Sequence, residues 1–342
     1  MSRLCVRGLG AVSPAGWGAS ALWSAVQRAE PCPTRPLSRP GWEKPLWIRE
    51  TPPPSPRPAF LSHPRYRRTS AISHYTAAAA LEALGEDAVL AEERVSRLGI
   101  VVCVMAGCVS YSRRFYEETL KDPATASPLL FPETVFNAPA SHLAAYLGAT
   151  GPAYTLIGDN GAFLQGLALA AGWLVQDQAD ACVIVGAEEA DWIVADALRL
   201  FQRRTVHSSG AGALYLAREH SACIAELSCV TDSFSFTANQ NQTAAAAEMR
   251  RQLPPAEKSE LLCLGTEGIE RADAPEMLAW GDWTGHRLAP RAALGEAFSA
   301  SAAWQCVLAC DAIQRMPVPA ANVSVVGVNQ QAIGARFVKT GA

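Results

Sequence analysis

Three long apolar runs constrain the fold of this chain more than any other feature of its sequence. They cover residues 98–105, 181–188 and 210–216, and the first is rich in β-branched residues. Such runs predict buried strands, as in a sheet packed between layers of helices. Segments with helical spacing of apolar residues alternate with these strands, so the sequence predicts an α/β protein. The same alternation returns more weakly between residues 224 and 338, which favours two similar α/β halves packed together.

Composition narrows the class of protein. The chain has 342 residues, of which 49% are apolar and 18% are charged, enough for one large domain or two fused ones. The net charge is -3, with no basic block, no zinc-like cysteine spacing and no interleaving of aromatic and basic residues. We therefore expect no nucleic-acid partner. The isolated pair Gly8 and Gly10 lacks the rest of a dinucleotide fingerprint, and we predict neither a cofactor nor a metal.

Cysteine usage and targeting patterns indicate a compartment. The ten cysteines lie mostly in apolar runs, where cysteine behaves as a small hydrophobic residue. This favours the reducing cytosol. The N-terminus has no signal-peptide pattern, and no run of about 18 apolar residues is present that would cross a bilayer. We expect a cytoplasmic protein with no membrane span.

One stretch, residues 151–175, has the layout of a functional turn. It reads as a short buried strand (Ala153 to Ile157), a tight turn, and a helix that is apolar almost all round and therefore internal. This layout presents Asn160 at a helix N-terminus, a position that lowers the pKa of a thiol and suits a thiolate nucleophile. The carboxamide of Asn160 is neither a nucleophile nor a base. From the residues alone, the alternative is that Asp159 or Asn160 caps the helix.

Other segments have simpler interpretations. The proline-rich segment from Pro31 to Pro64 is either a long irregular surface loop or an arm that packs Trp42 and Trp47 on a partner. A helix is predicted over residues 67–84, an amphipathic helix after Gly107, and a small-residue helix over residues 298–313.

The order of many short motifs resembles the β-ketoacyl synthases of the thiolase superfamily. The resemblance extends over nearly the whole chain, and its motifs include Gly8-Leu-Gly-Ala-Val-Ser-Pro14, Ser127-Pro-Leu-Leu-Phe-Pro132, Asn137-Ala-Pro-Ala140, Asp180-Ala-Cys-Val-Ile-Val-Gly-Ala-Glu188 and Gly210-Ala-Gly-Ala-Leu214. It implies the five-layered thiolase fold (α-β-α-β-α) made of two pseudo-repeated halves, 1–218 and 219–342. It also implies a dimer formed through the strand before the turn that holds Asn160.

The catalytic residues that the resemblance implies are replaced. Synthases of this family use a cysteine in the turn, a histidine in a His-Gly-Thr loop, and a histidine in a Gly-His pair before a small-residue helix. These three places are taken by Asn160, Leu264 and Glu296. A gating loop of the family aligns with the stretch that ends at Asn329 and has Val325 where the family has phenylalanine.

A second register remains open for the last histidine. Gly285-His286 is a true Gly-His pair, but Pro290 interrupts the helix that should follow it. We therefore prefer Glu296 for this position.

The resemblance is closest to chain-length-factor-like, non-catalytic ketosynthase subunits of type II polyketide and aryl polyene pathways. It implies a heterodimer with an active ketosynthase, an acyl carrier protein that brings acyl or malonyl thioesters, and a role in shaping the acyl-chain tunnel during polyketide, aryl polyene or fatty-acid-like elongation. The candidates for tunnel or interface residues are Phe115, Tyr116, Tyr154 and Phe163.

Two alternatives belong to other functional classes. One is an acyltransferase or decarboxylase with relocated chemistry, for instance at Cys108 or His286. Decarboxylation is disfavoured because both histidine donors are gone, and each such donor contributes roughly a hundredfold to a thousandfold. The other alternative is a homodimeric acyl-binding scaffold.

Overall fold

The computed structural model describes residues 3–88, 97–218, 223–237, 241–255 and 257–340. Its strands are β1 (Leu4–Ser13), β2 (Gly16–Trp17), β3 (Arg35–Leu37), β4 (Leu46–Arg49), β5 (Leu98–Val104), β6 (Ala153–Ile157), β7 (Ala181–Glu188), β8 (His207–Ser208), β9 (Gly210–Arg218), β10 (Ala225–Val230), β11 (Phe234–Ser235), β12 (Leu261–Cys263), β13 (His286–Leu288), β14 (Ala320–Val326) and β15 (Gln331–Val338).

The α-helices in the same part of the chain are α1 (Ala19–Arg28), α2 (Ala71–Leu84), α3 (Val109–Lys121), α4 (Ala138–Leu147), α5 (Ala162–Val175), α6 (Trp192–Phe201), α7 (Gln242–Gln252), α8 (Glu270–Ala279), α9 (Pro290–Leu294) and α10 (Ser299–Arg315). The three apolar runs that predicted the fold form β5, β7 and β9, and nearly all of their residues are buried.

Two groups of five strands repeat one topology. The first group is β1, β5, β6, β7 and β9, and the second is β10, β12, β13, β14 and β15. In each group the spatial order is the first, last, fourth, second and third strand along the chain. In each, the first two pairings are antiparallel and the other two parallel. The repeat confirms two similar α/β halves, joined where β1 pairs with β10.

Helices form three layers around these strands. Helices α5 and α10 lie between the two groups and share the main apolar core. Helices α2 and α4 cover the outer face of the first group, and α7 and α8 cover that of the second. The resulting order of helix, sheet, helix, sheet and helix confirms the five-layered fold.

Small residues allow α10 to approach the first group of strands closely. A Cβ atom at Gly186 of β7 would lie 2.2 Å from the carbonyl oxygen of Ser299 at the start of α10. A Cβ atom at Gly212 of β9 would lie 2.7 Å from the Cβ of Ala303. The close packing fixes the N-terminus of α10, and with it the residues just before that helix.

The expectation that β6 is a buried strand is wrong. β6 lies at the edge of its group and pairs, among the described strands, only with β5. Tyr154 is 54% exposed and Ile157 is 59% exposed. An apolar edge strand and an apolar central strand have the same sequence pattern, so the pattern did not distinguish them.

The segment 31–64 is more ordered than either predicted alternative. It contains β3 and β4, which form a small sheet with β8. Ile48 is fully buried in a cluster that includes a residue of α6. The two tryptophans nevertheless face outward, since Trp42 is 64% exposed and Trp47 is 55% exposed. The ring of Trp42 lies under the Arg39 guanidinium, with 3.5 Å between Cζ and the ring centroid.

Helix α2 begins at Ala71, four residues later than predicted. Pro64 opens a short 3-10 turn, and the backbone of Ser70 is still extended. The predicted boundary of the two halves at 218/219 adjoins residues 219–222, which lie outside the described residues, and it stays a prediction.

One pair of cysteines departs from the expectation of small hydrophobic residues. Cys5 on β1 and Cys223, just before β10, form a disulfide with a Cα–Cα distance of 5.3 Å. The other eight cysteines are free, and all of them except Cys229 are buried. The cytoplasmic location therefore stays a prediction. None of the described helices has the length and apolar character needed to cross a membrane.

Candidate functional site

Asn160 lies in the turn between β6 and α5, as the sequence predicts. Gly161 is the N-cap of α5, so neither Asp159 nor Asn160 occupies the capping position that the alternative gave them. Asp159 instead accepts hydrogen bonds from the backbone N–H groups of Gly161 at 3.2 Å and Gln330 at 3.0 Å. The side chain of Asn160 is therefore free to point into the site.

The Asn160 side chain contacts Glu296. Its Nδ2 donates a hydrogen bond of 2.9 Å to Glu296 Oε1. The same oxygen accepts a bond from the backbone N–H of Phe298. Asn160 is 1% exposed and Glu296 is 0% exposed. Two of the three positions that the resemblance marks as catalytic are thus in direct contact.

Arg291, on α9, connects Glu296 to the loop that follows β12. Its guanidinium forms ion pairs with Glu296 and with Glu267. It also donates a 2.6 Å hydrogen bond to the carbonyl oxygen of Gly265. All three charged side chains are at least nine-tenths buried. Sequence reasoning missed Arg291 and Glu267, since no motif links residues from separate loops.

Leu264 does not join this polar network through its side chain. It is 2% exposed and belongs to the apolar cluster under α7 and α8. Its backbone N–H donates to the carbonyl oxygen of Leu288 at 2.8 Å, which continues the pairing of β12 with β13. The third marked position therefore holds an apolar core residue next to Gly265.

Burial and neighbouring charges both shift the pKa values of the ionisable side chains around Arg291. Burial raises the pKa of Glu296, although Arg291 opposes the shift. Burial alone would lower the pKa of Arg291, but the carboxylates of Glu267 and Glu296 raise it above its ordinary value. Burial also raises the pKa of Glu276 to about 7, and this carboxylate accepts the Gly265 N–H at 3.1 Å. One guanidinium therefore lies among three buried carboxylates.

His207 lies beside the site and was also missed. Its Nδ1 is 3.1 Å from the backbone carbonyl oxygen of Glu296, and its Nε2 is 3.3 Å from that of Glu189. Burial lowers its pKa to about 4, so the ring is neutral at physiological pH. Both ring nitrogens face carbonyl oxygens, and the neutral ring donates its single N–H to one of them.

The loop that follows β14 closes over the turn. A Cβ atom at Gly327 would lie 2.0 Å from Asp159 Oδ2, so any side chain there would displace the Asp159 carboxylate. The N–H groups of Asn329 and Gln330 point at the same carboxylate, at 3.4 Å and 3.0 Å. This is the loop that the resemblance aligns with a gating loop, and Asp159 holds it against the turn.

The four tunnel or interface candidates lie in different environments. Phe115 is half-buried, with its ring centroid 5.6 Å from that of Phe131. Tyr116 is 63% exposed on α3, and Tyr154 is exposed on β6. Phe163 is fully buried in the central core, so it is not available to a partner. Their tunnel role stays a prediction.

Further exposed apolar side chains escaped the sequence analysis. They lie in the segment between α3 and α4 and on the outer face of α6: Leu129, Phe131, Val135, Phe136, Ile193, Leu200 and Phe201. Residues 193, 200 and 201 recur at helical spacing, while the opposite face of α6 is buried. Apolar residues on both faces of α6 are therefore the sequence signal that could have revealed this exposed surface.

The alternative catalytic groups are placed poorly for chemistry. Cys108 is buried at the N-cap of α3, and burial raises its pKa well above the ordinary value. A thiol in such surroundings is inert. His286 is exposed at the start of β13, which forms the sheet edge opposite to β6. The described residues contain no group of three His, Cys, Asp or Glu side chains that could hold a metal ion.

Comparison of folds shows that the chain shares its fold with solved ketosynthase structures. The ishigamide ketosynthase/chain length factor is 18% identical, with a TM-score of 0.80 over 99% of this chain and 100% of that chain. A type II polyketide synthase acyl carrier protein in complex with its ketosynthase bound to the hexaketide contains a chain that is 17% identical, with a TM-score of 0.78 over 99% of both chains. A β-ketoacyl synthase from Burkholderia phymatum STM815 is 16% identical, with a TM-score of 0.82 over 99% of this chain and 100% of that chain.

Sequence comparison gives the family. No curated protein sequence matches the chain. The family model of the β-ketoacyl synthase N-terminal domain matches residues 1–221, well over half of the chain. With a thiolase-like ketosynthase fold over its full length, this chain belongs to the β-ketoacyl synthase family.

Proposed function

We propose that this chain is a non-catalytic ketosynthase homologue of the chain-length-factor type, which pairs with an active β-ketoacyl synthase. The hydrogen bond between Asn160 and Glu296 carries the proposal, because an amide and a carboxylate replace the nucleophile and a histidine. Neither group can attack a thioester in this pairing, and a carboxylate disfavours the negative charge that condensation develops. Such a subunit contributes structure to a condensing complex.

An exposed sheet edge supports the pairing. Tyr154 and Ile157 of the edge strand β6 are exposed, and so are several apolar side chains of the segment before α4. Open strand edges and apolar patches are commonly covered by another chain. In a family member without its own chemistry, the fitting occupant is an active ketosynthase.

A basic segment supports an acyl carrier protein as a further partner. No Asp or Glu occurs between residues 51 and 81, whereas Arg57, Arg65, Arg67 and Arg68 lie close together there and are exposed. The chain as a whole carries a charge of -3, so this segment departs from the overall balance. Clustered guanidinium groups favour an acidic partner and speed its association.

The surface of α3 supports a role in the acyl-chain tunnel. Tyr116 and Leu120 lie one turn apart and are both exposed, and the ring of Phe115 packs at a tilt against that of Phe131. Together they offer apolar surface that a growing acyl chain could follow in polyketide, aryl polyene or fatty-acid-like elongation.

Co-expression with an active β-ketoacyl synthase from the same organism tests the proposal. Size-exclusion chromatography with light scattering should give a stable 1:1 complex, and the complex should condense acyl and malonyl thioesters while this chain alone does not. Two separate homodimers would contradict the proposal and favour the homodimeric scaffold. A covalent acyl adduct on the chain alone, detected by mass spectrometry, would favour the relocated acyltransferase.

A further inference from the structure

We propose that Cys223 is a site of reversible thiol–disulfide exchange with small thiols such as glutathione, and that the buried Cys5 is the partner that completes the exchange. The two cysteines form the disulfide between the halves of the chain, with Cα atoms 5.3 Å apart. The exchange makes the junction of β1 and β10 sensitive to redox conditions. It belongs to this chain alone and is independent of any ketosynthase partner.

The disulfide lies at the strand pairing that joins the two halves. Cys5 is on β1, and Cys223 lies just before β10. The pairing of β1 with β10 consists of two residue pairs, Cys5 with Glu226 and Val6 with Ala225. On its other side, β1 pairs with β9 through eight residue pairs. The ladder between the halves is therefore short, and the disulfide is a cross-link on it.

The two cysteines differ in their access to solvent. Cys5 is 3% exposed within β1, which has β9 on one side and β10 on the other. Cys223 precedes β10 and is partly exposed. A thiolate must reach a disulfide sulfur in order to attack it, so access decides which sulfur reacts. A small thiol therefore attacks at Cys223, and Cys5 reacts only with the sulfur beside it.

Reduction and reoxidation follow from this order of access. A glutathione thiolate attacks the Cys223 sulfur, a mixed disulfide forms there, and Cys5 leaves as a thiolate. A second glutathione thiolate then attacks the mixed disulfide, releases Cys223 and departs as glutathione disulfide. The two glutathione thiols supply two electrons and two protons, and the two cysteine thiols receive them. Oxidation by glutathione disulfide runs through the same mixed disulfide in reverse.

The other thiols are poorly placed to compete. Eight cysteines are free, and seven of them are buried. Burial keeps a thiol away from a small disulfide. Cys229 on β10 is partly exposed, like Cys223, but burial raises the pKa of its thiol and so leaves less of the reactive thiolate. Cys229 is therefore the matched control for Cys223.

The cross-link should also affect thermal stability. Cys5 and Cys223 are 218 residues apart in sequence, so their bond closes a long loop and restricts the unfolded chain. Opening the bond restores that freedom to the unfolded state. We expect reduction by glutathione to lower the midpoint temperature of unfolding by about 3–5 °C in calorimetry, in wild type and equally in Cys229→Ala.

The identity of the exchanging sulfur is tested with full-length single variants. Cys5→Ala, Cys223→Ala and Cys229→Ala are incubated with glutathione disulfide, and adducts are located by mass spectrometry of peptides. We expect glutathione on Cys223 in Cys5→Ala to form roughly tenfold faster or more than on Cys5 in Cys223→Ala, or on Cys229 in either variant. Reduced wild type should keep no lasting adduct, because Cys5 displaces the glutathione.

Wild type titrated in glutathione buffers should pass reversibly between one disulfide and two thiols, as read by alkylation. Equal rates of adduct formation on Cys5 and Cys223, or no adduct on Cys223 in folded Cys5→Ala, would overturn the proposal. If a single variant does not fold, the wild-type titration decides alone. A disulfide that folded wild type retains in excess glutathione would be a permanent cross-link, and two thiols that persist in glutathione disulfide would mean that no cross-link forms. Either result would overturn the exchange, and none of these measurements involves a ketosynthase.

Discussion

Asn160 and Glu296 are 136 residues apart in sequence and share a buried hydrogen bond of 2.9 Å. The contact joins two positions that the resemblance marks as catalytic into one structural unit. A buried carboxylate requires compensation, and Glu296 receives it from the Asn160 amide, the Phe298 N–H and the Arg291 guanidinium. Arg291 also forms an ion pair with Glu267 and a hydrogen bond with Gly265, and so connects this unit to the loop after β12.

Replacing Arg291 should destabilise the protein strongly. Arg291→Met leaves Glu296 and Glu267 buried without their cation, and breaking a buried pair in this way costs about 3–5 kcal/mol. Urea unfolding measures the change in the free energy of unfolding. Arg251→Met is the matched control, because its ion pair with Glu248 lies at the surface and should contribute less than about 1 kcal/mol. Equal, small effects of the two variants would contradict the structural role of Arg291.

Glu276 should make stability depend on pH near neutrality. Its pKa is raised from 4.5 to about 7 in the folded protein because the carboxylate is buried. The folded state therefore holds this proton more tightly than the unfolded chain, and the free energy of unfolding falls as pH rises through 7. At about 1.4 kcal/mol per pKa unit, the loss is a few kcal/mol between pH 5 and 8.

The Glu276→Gln variant removes this titration. We expect its unfolding free energy, measured in urea from pH 5 to pH 8, to decline less than that of wild type. Glu270→Gln on the same helix is the control, because Glu270 is exposed and should leave the pH dependence unchanged. Parallel curves for wild type and Glu276→Gln would show that Glu276 does not titrate in this range.

Much of the fold could be predicted because it follows from local patterns. The apolar runs at 98–105, 181–188 and 210–216 specify strands, and the turn before α5 places Asn160. The exposure of β6 could not be predicted, since an edge position depends on which strands pair. The same holds for Arg291, whose partners come from other loops.

Two further features depend on contacts that no local pattern encodes. Cys5 and Cys223 meet because β1 pairs with β10, and the sequence alone does not reveal which cysteines pair. Phe298 has a positive φ of 45° and packs between α6 and the loop after β14, whereas its sequence position looks like the ordinary start of a helix.

A charge on β6 should disrupt the proposed complex without unfolding the chain. Ile157 is 59% exposed in the isolated chain, so Ile157→Asp should change the free energy of unfolding by less than about 0.5 kcal/mol. In an apolar interface the same carboxylate would be desolvated without a partner, which should weaken binding to the ketosynthase at least tenfold. Surface plasmon resonance measures the dissociation constant.

Leu278→Asp provides the control for this experiment. Leu278 is 69% exposed on α8, in the outer layer of the second half, and should not affect pairing. If Ile157→Asp and Leu278→Asp bind the ketosynthase equally well, β6 is not part of the interface.

Truncation of the aromatic side chains on α3 should change product length in the reconstituted complex. Phe115 is half-buried against Phe131 and Tyr116 is exposed beside it, so their replacement by alanine removes apolar bulk from the proposed tunnel wall. We expect Phe115→Ala and Tyr116→Ala to shift the distribution towards longer products, measured by mass spectrometry of the released chains. Arg114→Ala is the control, because Arg114 lies on the same helix, is largely exposed and pairs with Glu118. A distribution unchanged in both aromatic variants, with the complex intact, would exclude α3 from the tunnel and leave these residues a packing role alone.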